Sequence, residues 1–261
     1  MDRLGRGKAI AVTTDLRFDS LTFAGFRDLA TADGLSRHER VGFPDSYRDG
    51  YEAAIYRDIR TKLSNLSRSR QTVFDIGCGC SDLPMLLAET SRQRGHELVL
   101  CDSAEMLGHV ADEPFIRKEA GIFPRELNNL IAEFAGRVDA ILVYSVIQYV
   151  FVEASIFDFL DACCSLLAPG GQLLIGDIPN VSKRKRFFAS EAGVRLHQEF
   201  TGSEDSPIVE FNAVERSKID DSVVLSLIGR ARAAGFDAYV LPQSPELPMA
   251  NRREDVLIVR P

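Results

Sequence analysis

A chain of 261 residues, 45% of them hydrophobic, suits one large α/β domain with an extension and has ample material for a core. Its formal net charge of −7 gives nucleic acid and anionic membranes no bulk attraction, and no apolar run approaches the roughly 20 residues that span a bilayer. The N-terminus lacks the long apolar stretch and cleavage site of a signal peptide, and cysteines 78, 80, 101, 163 and 164 form no disulfide framework, so a reduced, cytoplasmic protein is expected.

The first 68 residues read as a helical extension. Short helices are expected over 22–32 and 35–41, interrupted by Gly25 and Gly34, and a Gly42-Phe43-Pro44 turn precedes a longer helix from Tyr47 to about Leu66. Along that helix Tyr51, Ile55, Ile59 and Leu63 recur at four-residue steps, and Tyr47 shares their face. These tyrosines either anchor the helix to the core or close over a ligand.

The main domain is expected over 69–261. Val73-Phe74-Asp75-Ile76 is a buried strand broken by Gly77 and Gly79, with Cys78 between them; Ser81 or Asp82 caps the helix that follows. Only residues without Cβ let a backbone turn this tightly and approach a ligand closely. A second strand, Glu97 to Asp102, ends in an acid 27 positions after Asp75, the approximate place of a carboxylate that binds a ribose diol. Ser103 caps a helix through Met106. A third strand near Pro114 to Lys118 ends at Glu119-Ala120, and a fourth, Val138 to Tyr144, is followed by Ser145 and Gln148-Tyr149. A helix over 154–167 stops at Pro169-Gly170-Gly171, and a fifth strand ends in Asp177. The alternation predicts a doubly wound, mostly parallel sheet covered on both faces. Asp75, Asp102, Glu119, Tyr144 and Asp177 all fall at the carboxyl ends of strands, where ligands bind in such sheets. Residues 181–220 interrupt the rhythm with a basic run, Lys183 to Arg186, and helical spacing to His197. A helix over 222–234 and two final strands close the chain, the last pair antiparallel because its connection is too short for a crossover.

VFDIGCGCSDLP, LVLCDSAEML, VDAILVYSVIQYV and LLAPGGQLLIGDIP, in this order and spacing, resemble the motifs of the class I S-adenosylmethionine (SAM)-dependent methyltransferases. The resemblance implies a seven-stranded sheet of order 3-2-1-4-5-7-6 with the last strand antiparallel, and a substrate-cap insertion at 181–220. It also implies a cofactor site in which Asp75, Gly77, Cys78 and Gly79 hold the methionine part of SAM and Asp102 and Ser103 the ribose. Met106, Glu119 and Ala120 would then surround the adenine, and Tyr144 and Ser145 the methyl end. The third family glycine is Ser81 here. A dinucleotide motif would instead need glycine where Asp82 stands, and its charge would repel a pyrophosphate.

Methyl transfer from a sulfonium requires in-line alignment and, for a hydroxyl acceptor, a base. His197 and Tyr149 are the candidates; His38, His96 and His109 have no motif around them. Tyr47, Tyr51, Gln148, Asp177, Lys183 and Arg186 are the candidate substrate contacts, the last two as a clamp for a phosphate or carboxylate. The aspartate pattern of metal-dependent family members is missing, so no metal is expected. The reading is a metal-free methyltransferase of a small molecule, with oxygen as acceptor on a phosphorylated or nucleotide-linked sugar or small acid. The alternatives are a SAM-binding protein acting through a partner and a polyamine synthase, whose acidic pair is not found. The sequence leaves the oligomeric state open.

Overall fold

The computed structural model describes residues 21–261, so the first 20 residues of the expected extension lie outside the described residues. Four helices come first: α1 (Phe23–Thr31), α2 (Arg37–Arg40), α3 (Asp45–Arg48) and α4 (Glu52–Lys62). The single helix expected from Tyr47 to Leu66 is divided, because Gly50 takes a left-handed φ of 81° and turns the chain between α3 and α4. A 3-10 turn, Ser64–Ser67, leads into the sheet.

The sheet holds β1 (Thr72–Ile76), β2 (Glu97–Asp102), β3 (Ile116–Ala120), β4 (Val138–Tyr144), β5 (Leu167–Pro179), β6 (Asp237–Pro242) and β7 (Arg253–Val259). Its order is 3-2-1-4-5-7-6, as the resemblance implied. The pairs among β1 to β5 are parallel, and β7 runs antiparallel to both β5 and β6. Between the strands run α5 (Asp82–Arg94), α6 (Ala104–Leu107), α7 (Asn128–Phe134), α8 (Ile147–Glu153) and α9 (Ile156–Leu166). After β5 come α10 (Val181–Phe188), α11 (Glu191–Thr201) and α12 (Asp221–Ala233). The Pro169-Gly170-Gly171 turn lies within the long β5, where the register against β4 shifts between Val138 and Ala140.

Alternation along the strands sorts the core into two layers. Phe74, Ile76, Val99, Ile141 and Ile175 pack with α7, α9 and α12 on one face. Val73, Leu98, Leu100, Leu142 and Leu174 pack on the other with Leu87 of α5 and with Ile55 and Ile59 of α4. The N-terminal extension thus shares a core with the sheet, and the boundary expected at 68/69 runs through one apolar cluster. No helix among the described residues is long and apolar enough to cross a membrane.

Candidate active site

The carboxyl ends of β1, β2 and β4 open into a cleft roofed by α1 to α3. Its floor is the glycine turn. Gly77 (φ 74°) and Gly79 (φ 63°) are left-handed, and a Cβ would come within 2.5 Å of Val146 at the first and 2.8 Å of Val41 at the second. The turn is tied to β2 by two bonds: Gly77 N–H donates to Cys101 O (2.8 Å) and Gly79 N–H to Asp102 Oδ2 (2.8 Å). The other Asp102 oxygen accepts from Ser103 N–H (2.7 Å), and Ser103 Oγ accepts from Met106 N–H, capping α6. One carboxylate therefore fixes both the glycine turn and the helix that carries Met106 to the cleft.

Asp75 lies just beneath, 2% exposed, and its Oδ2 has no hydrogen-bond partner among the described residues. Burial, reinforced by the nearby Asp102 charge, pushes its carboxyl up to about 8. Burial also raises Asp102, against the two backbone N–H bonds that favour its charge. Two buried acids, both with carboxyls raised by burial, under a glycine cradle form a site short of positive charge. Such a site favours a cationic, hydroxyl-bearing ligand over a pyrophosphate.

Gly121, Ile122 and Phe123 complete the wall beyond Met106. Ala120 is exposed, and Glu119 is paired with Arg117, so the lining falls one to three residues after the pair expected from the sequence. At the other end stand Tyr144, Ser145, Val146 and Tyr149. Tyr149 meets Phe26 of α1 edge to face at 4.7 Å. Burial raises the phenols of both tyrosines, which leaves them neutral donors and poor bases. Gln148 donates from Nε2 to Ser145 O (2.7 Å), which holds the start of α8. Cys78 lines the floor with its thiol raised by burial.

Ser145 and Asp177, at the ends of β4 and β5, both adopt a φ of 60°. Such a backbone costs on the order of 1–3 kcal/mol in a residue other than glycine and persists only where its surroundings hold it. Here they do: Ser145 Oγ donates to Asp177 Oδ2, and Arg48 of α3 reaches both, at 2.6 and 3.0 Å. Arg253 donates to the same carboxylate at 2.7 Å, and Asp177 N–H donates to Asp255, which Lys62 neutralises at 2.6 Å. The Arg48 guanidinium also lies 4.1 Å from the Phe43 ring centre.

The expected substrate residues divide. Asp177 belongs to this network, saturated by its partners. Tyr47 and Tyr51 flank Arg48 but do not line the cleft; Tyr51 packs on the apolar core, the anchoring alternative. Lys183 and Arg186, the expected anion clamp, are paired within the chain. Lys183 donates to Arg253 O (2.6 Å) and Arg186 pairs with Asp221, because the Asn180 cap sets α10 with these side chains facing β7 and α12. His197 lies in a separate groove with Lys185 and Glu215, away from the glycine turn. The cleft residues missed in the sequence include Phe26, His38, Val41, Phe43, Arg48 and Glu52 of the roof and Gly121, Ile122 and Phe123 of the wall. They sit in helices and loops without a motif, so only the turn at Gly42 hinted that the chain folds back there.

No protein-family profile matches the chain. It is 31% identical over 116 residues to the ubiquinone biosynthesis O-methyltransferase of Caulobacter sp. (strain K31), covering 42% of each chain. It is also 31% identical over 137 residues to that of Caulobacter vibrioides, covering 51% of this chain and 50% of the relative. The matched region thus spans half or less of these curated relatives. Among solved structures, the N-methyltransferase NodS from Bradyrhizobium japonicum WM9, in complex with S-adenosyl-L-homocysteine (SAH), superposes with a TM-score of 0.55 at 15% identity, over 92% of this chain and 98% of NodS. The plantazolicin methyltransferase BamL, bound to SAH and a triazolic desmethylPZN analog, gives 0.56 at 14% identity, over 91% and 96%. With its strand order, its glycine turn and the acid at the end of β2, the chain has the fold of the class I SAM-dependent methyltransferases.

Proposed function

We propose that the chain is a SAM-dependent methyltransferase of a small molecule with an oxygen nucleophile. The observation that carries this is the buried Asp75 carboxylate, with an unpartnered oxygen, under a glycine turn whose second N–H is bound by Asp102. SAM supplies a methyl group on a positively charged sulfur. An ammonium group beside Asp75, directly or through one water, would satisfy its orphan oxygen, and the two hydroxyls of a ribose can donate to the remaining lone pairs of Asp102. Met106 and Phe123 offer apolar faces for an adenine. Tyr144, Tyr149 and Phe26 would enclose the methyl end and exclude water, and an aromatic enclosure is favourable to a sulfonium. The O-methyltransferase relatives support oxygen as the acceptor atom. The roof helices and residues 181–220 would act as the cap; Arg48, which also bonds Ser145 and Asp177, lines the cleft on the roof side.

Calorimetry with SAM and SAH tests the donor site. Wild type should bind both, and Asp102→Ala should weaken binding at least tenfold; no binding by wild type would sink the proposal. A transfer screen with labelled SAM over small phenolic acids, sugar phosphates and nucleotide-sugars then identifies the acceptor. Tight binding with no turnover across that screen would favour a protein that carries SAM without using it.

A further inference from the structure

The roof of the cleft holds two titratable groups that the donor site does not use. His38 is the second residue of α2, and Glu52 is the first residue of α4. The single turn of α2 is pinned by a capping box: Ser36 Oγ accepts from Glu39 N–H (3.1 Å) and Glu39 Oε2 accepts from Ser36 N–H (3.0 Å). Left-handed glycines at 42 and 50 fold the intervening chain back, so that His38 Nδ1 comes 3.2 Å from Glu52 Oε1. Both atoms are sealed from solvent, and neither has a hydrogen-bond partner aligned on it. His38 is 8% exposed, yet it lines the cleft together with Glu52, Gly77, Tyr144 and Ser145. Among the described residues its Nε2 has no partner. An imidazole with one nitrogen against a buried carboxylate and the other unclaimed on a cleft wall has the arrangement of a base and its orienting group. Catalytic hydrogen bonds without substrate are often poorly aligned and tighten when it binds.

We propose that His38 is the general base of methyl transfer and Glu52 its positioning residue, an assignment that rests on the methyltransferase reading above. Glu52 holds the proton on Nδ1 and leaves the Nε2 lone pair free. As the acceptor oxygen bonds to the methyl carbon, its O–H proton passes to Nε2. The carbon–sulfur bonding pair goes to sulfur, which becomes a neutral thioether. The imidazolium formed is balanced by the Glu52 carboxylate and later yields its proton to solvent. The other charged groups near His38 are Asp82 of α5, Arg37, Glu39 and Arg40 of its own helix, and Arg48 and Asp102, which line the same cleft. Asp82 brings a third possible ligand atom within 4.8 Å of the pair, so a divalent cation is the rival occupant of this corner; Arg37, paired with Asp82, already supplies positive charge there.

Two measurements decide. Nitrogen-15 NMR of the four histidines, with His38 identified by its loss in His38→Gln, should show the Nδ1–H tautomer in wild type and a mixture in Glu52→Gln. An Nε2–H tautomer in wild type would overturn the assignment without any variant having to be active. In transfer from SAM to 3,4-dihydroxybenzoate as probe, His38→Gln should lower kcat about 100-fold or more and abolish the acid limb of its pH profile. Glu52→Gln should lower kcat about tenfold, with calorimetric SAM affinity within threefold of wild type in both variants. A His38→Gln enzyme that keeps half the rate and the acid limb would refute the base, as would manganese binding lost in both variants together with metal-dependent turnover. If wild type fails to bind SAM, the methyltransferase reading fails first; if it binds and only the His38 results go the wrong way, that reading stands and the dyad falls.

Discussion

The ends of β1, β2 and β4 line one cleft and β5 ends beside β4, but the buried acids at β1 and β2 and the one at β5 are held in opposite ways. Asp75 is buried with an oxygen left over, and Asp102 binds only backbone N–H groups. Asp177 is saturated: Ser145, Arg48 and Arg253 all converge on one of its oxygens, and Gln243 approaches the other at 3.4 Å. A buried acid without its complement has had a partner reserved for it, whereas a buried acid surrounded by cations holds the scaffold. The acids at β1 and β2 can therefore be read as a ligand site and the one at β5 as the joint that locks α3, β4, β5 and β7 together.

The largest test of that contrast is Asp177→Ala. It strands Arg48 and Arg253 in a nearly sealed site and releases two left-handed backbones, so a loss of about 3–5 kcal/mol is expected in denaturant unfolding. Asp75→Asn should leave stability at pH 7 unchanged or higher; if it unfolds the protein while Asp177→Ala does not, the contrast is reversed.

Next in size is the pH response of Asp75. Its folded carboxyl titrates near 8, against 3.8 for the unperturbed group, so the folded state holds the proton more tightly than the unfolded chain. Its contribution to stability is complete below about pH 4 and is lost as the pH rises through 8. Melting of the ligand-free protein should show this decline between those limits, and Asp75→Asn should remove it. A cation bound beside Asp75 favours the charged form, so SAM binding at pH 7 should release a proton. Calorimetry in buffers of different ionisation enthalpy reads that release, and Asp75→Asn should abolish it.

At the small end, Arg186→Ala removes an ion pair that is half exposed and should cost less than about 1 kcal/mol. It should leave SAM affinity unchanged; a tenfold loss would return α10 to the ligand site.

The sequence carried most of the sheet because most strands contain an apolar run whose end is marked by a polar residue or glycine, as in Val73 to Gly77 and Val138 to Ser145. The glycine turn, Asp102, Met106 and Tyr144 were legible for the same reason: spacing along one strand–turn–helix unit fixes them. His38, Glu52 and Arg48 were not, since their places on the cleft depend on where the turns at Gly42 and Gly50 send three helices of four to eleven residues. The internal pairing of the basic run at 183–186 was hidden as well, because its partners Glu215, Asp221 and the Arg253 carbonyl lie 30 to 70 residues away in sequence.

Gly176, one residue before Asp177, has an ordinary backbone conformation, yet a Cβ there would lie 2.5 Å from Cδ2 of the Tyr144 ring. The Tyr144 ring on the cleft wall therefore exists at the expense of a side chain on the neighbouring strand. Across descendants of this chain the two positions should change together: an alanine at 176 becomes tolerable only once 144 has shrunk, and a lineage that gives up the tyrosine gains freedom at 176. The Tyr144 side of the cleft can thus be remodelled in paired steps, while the glycine turn, whose left-handed backbone admits no such exchange, stays as it is.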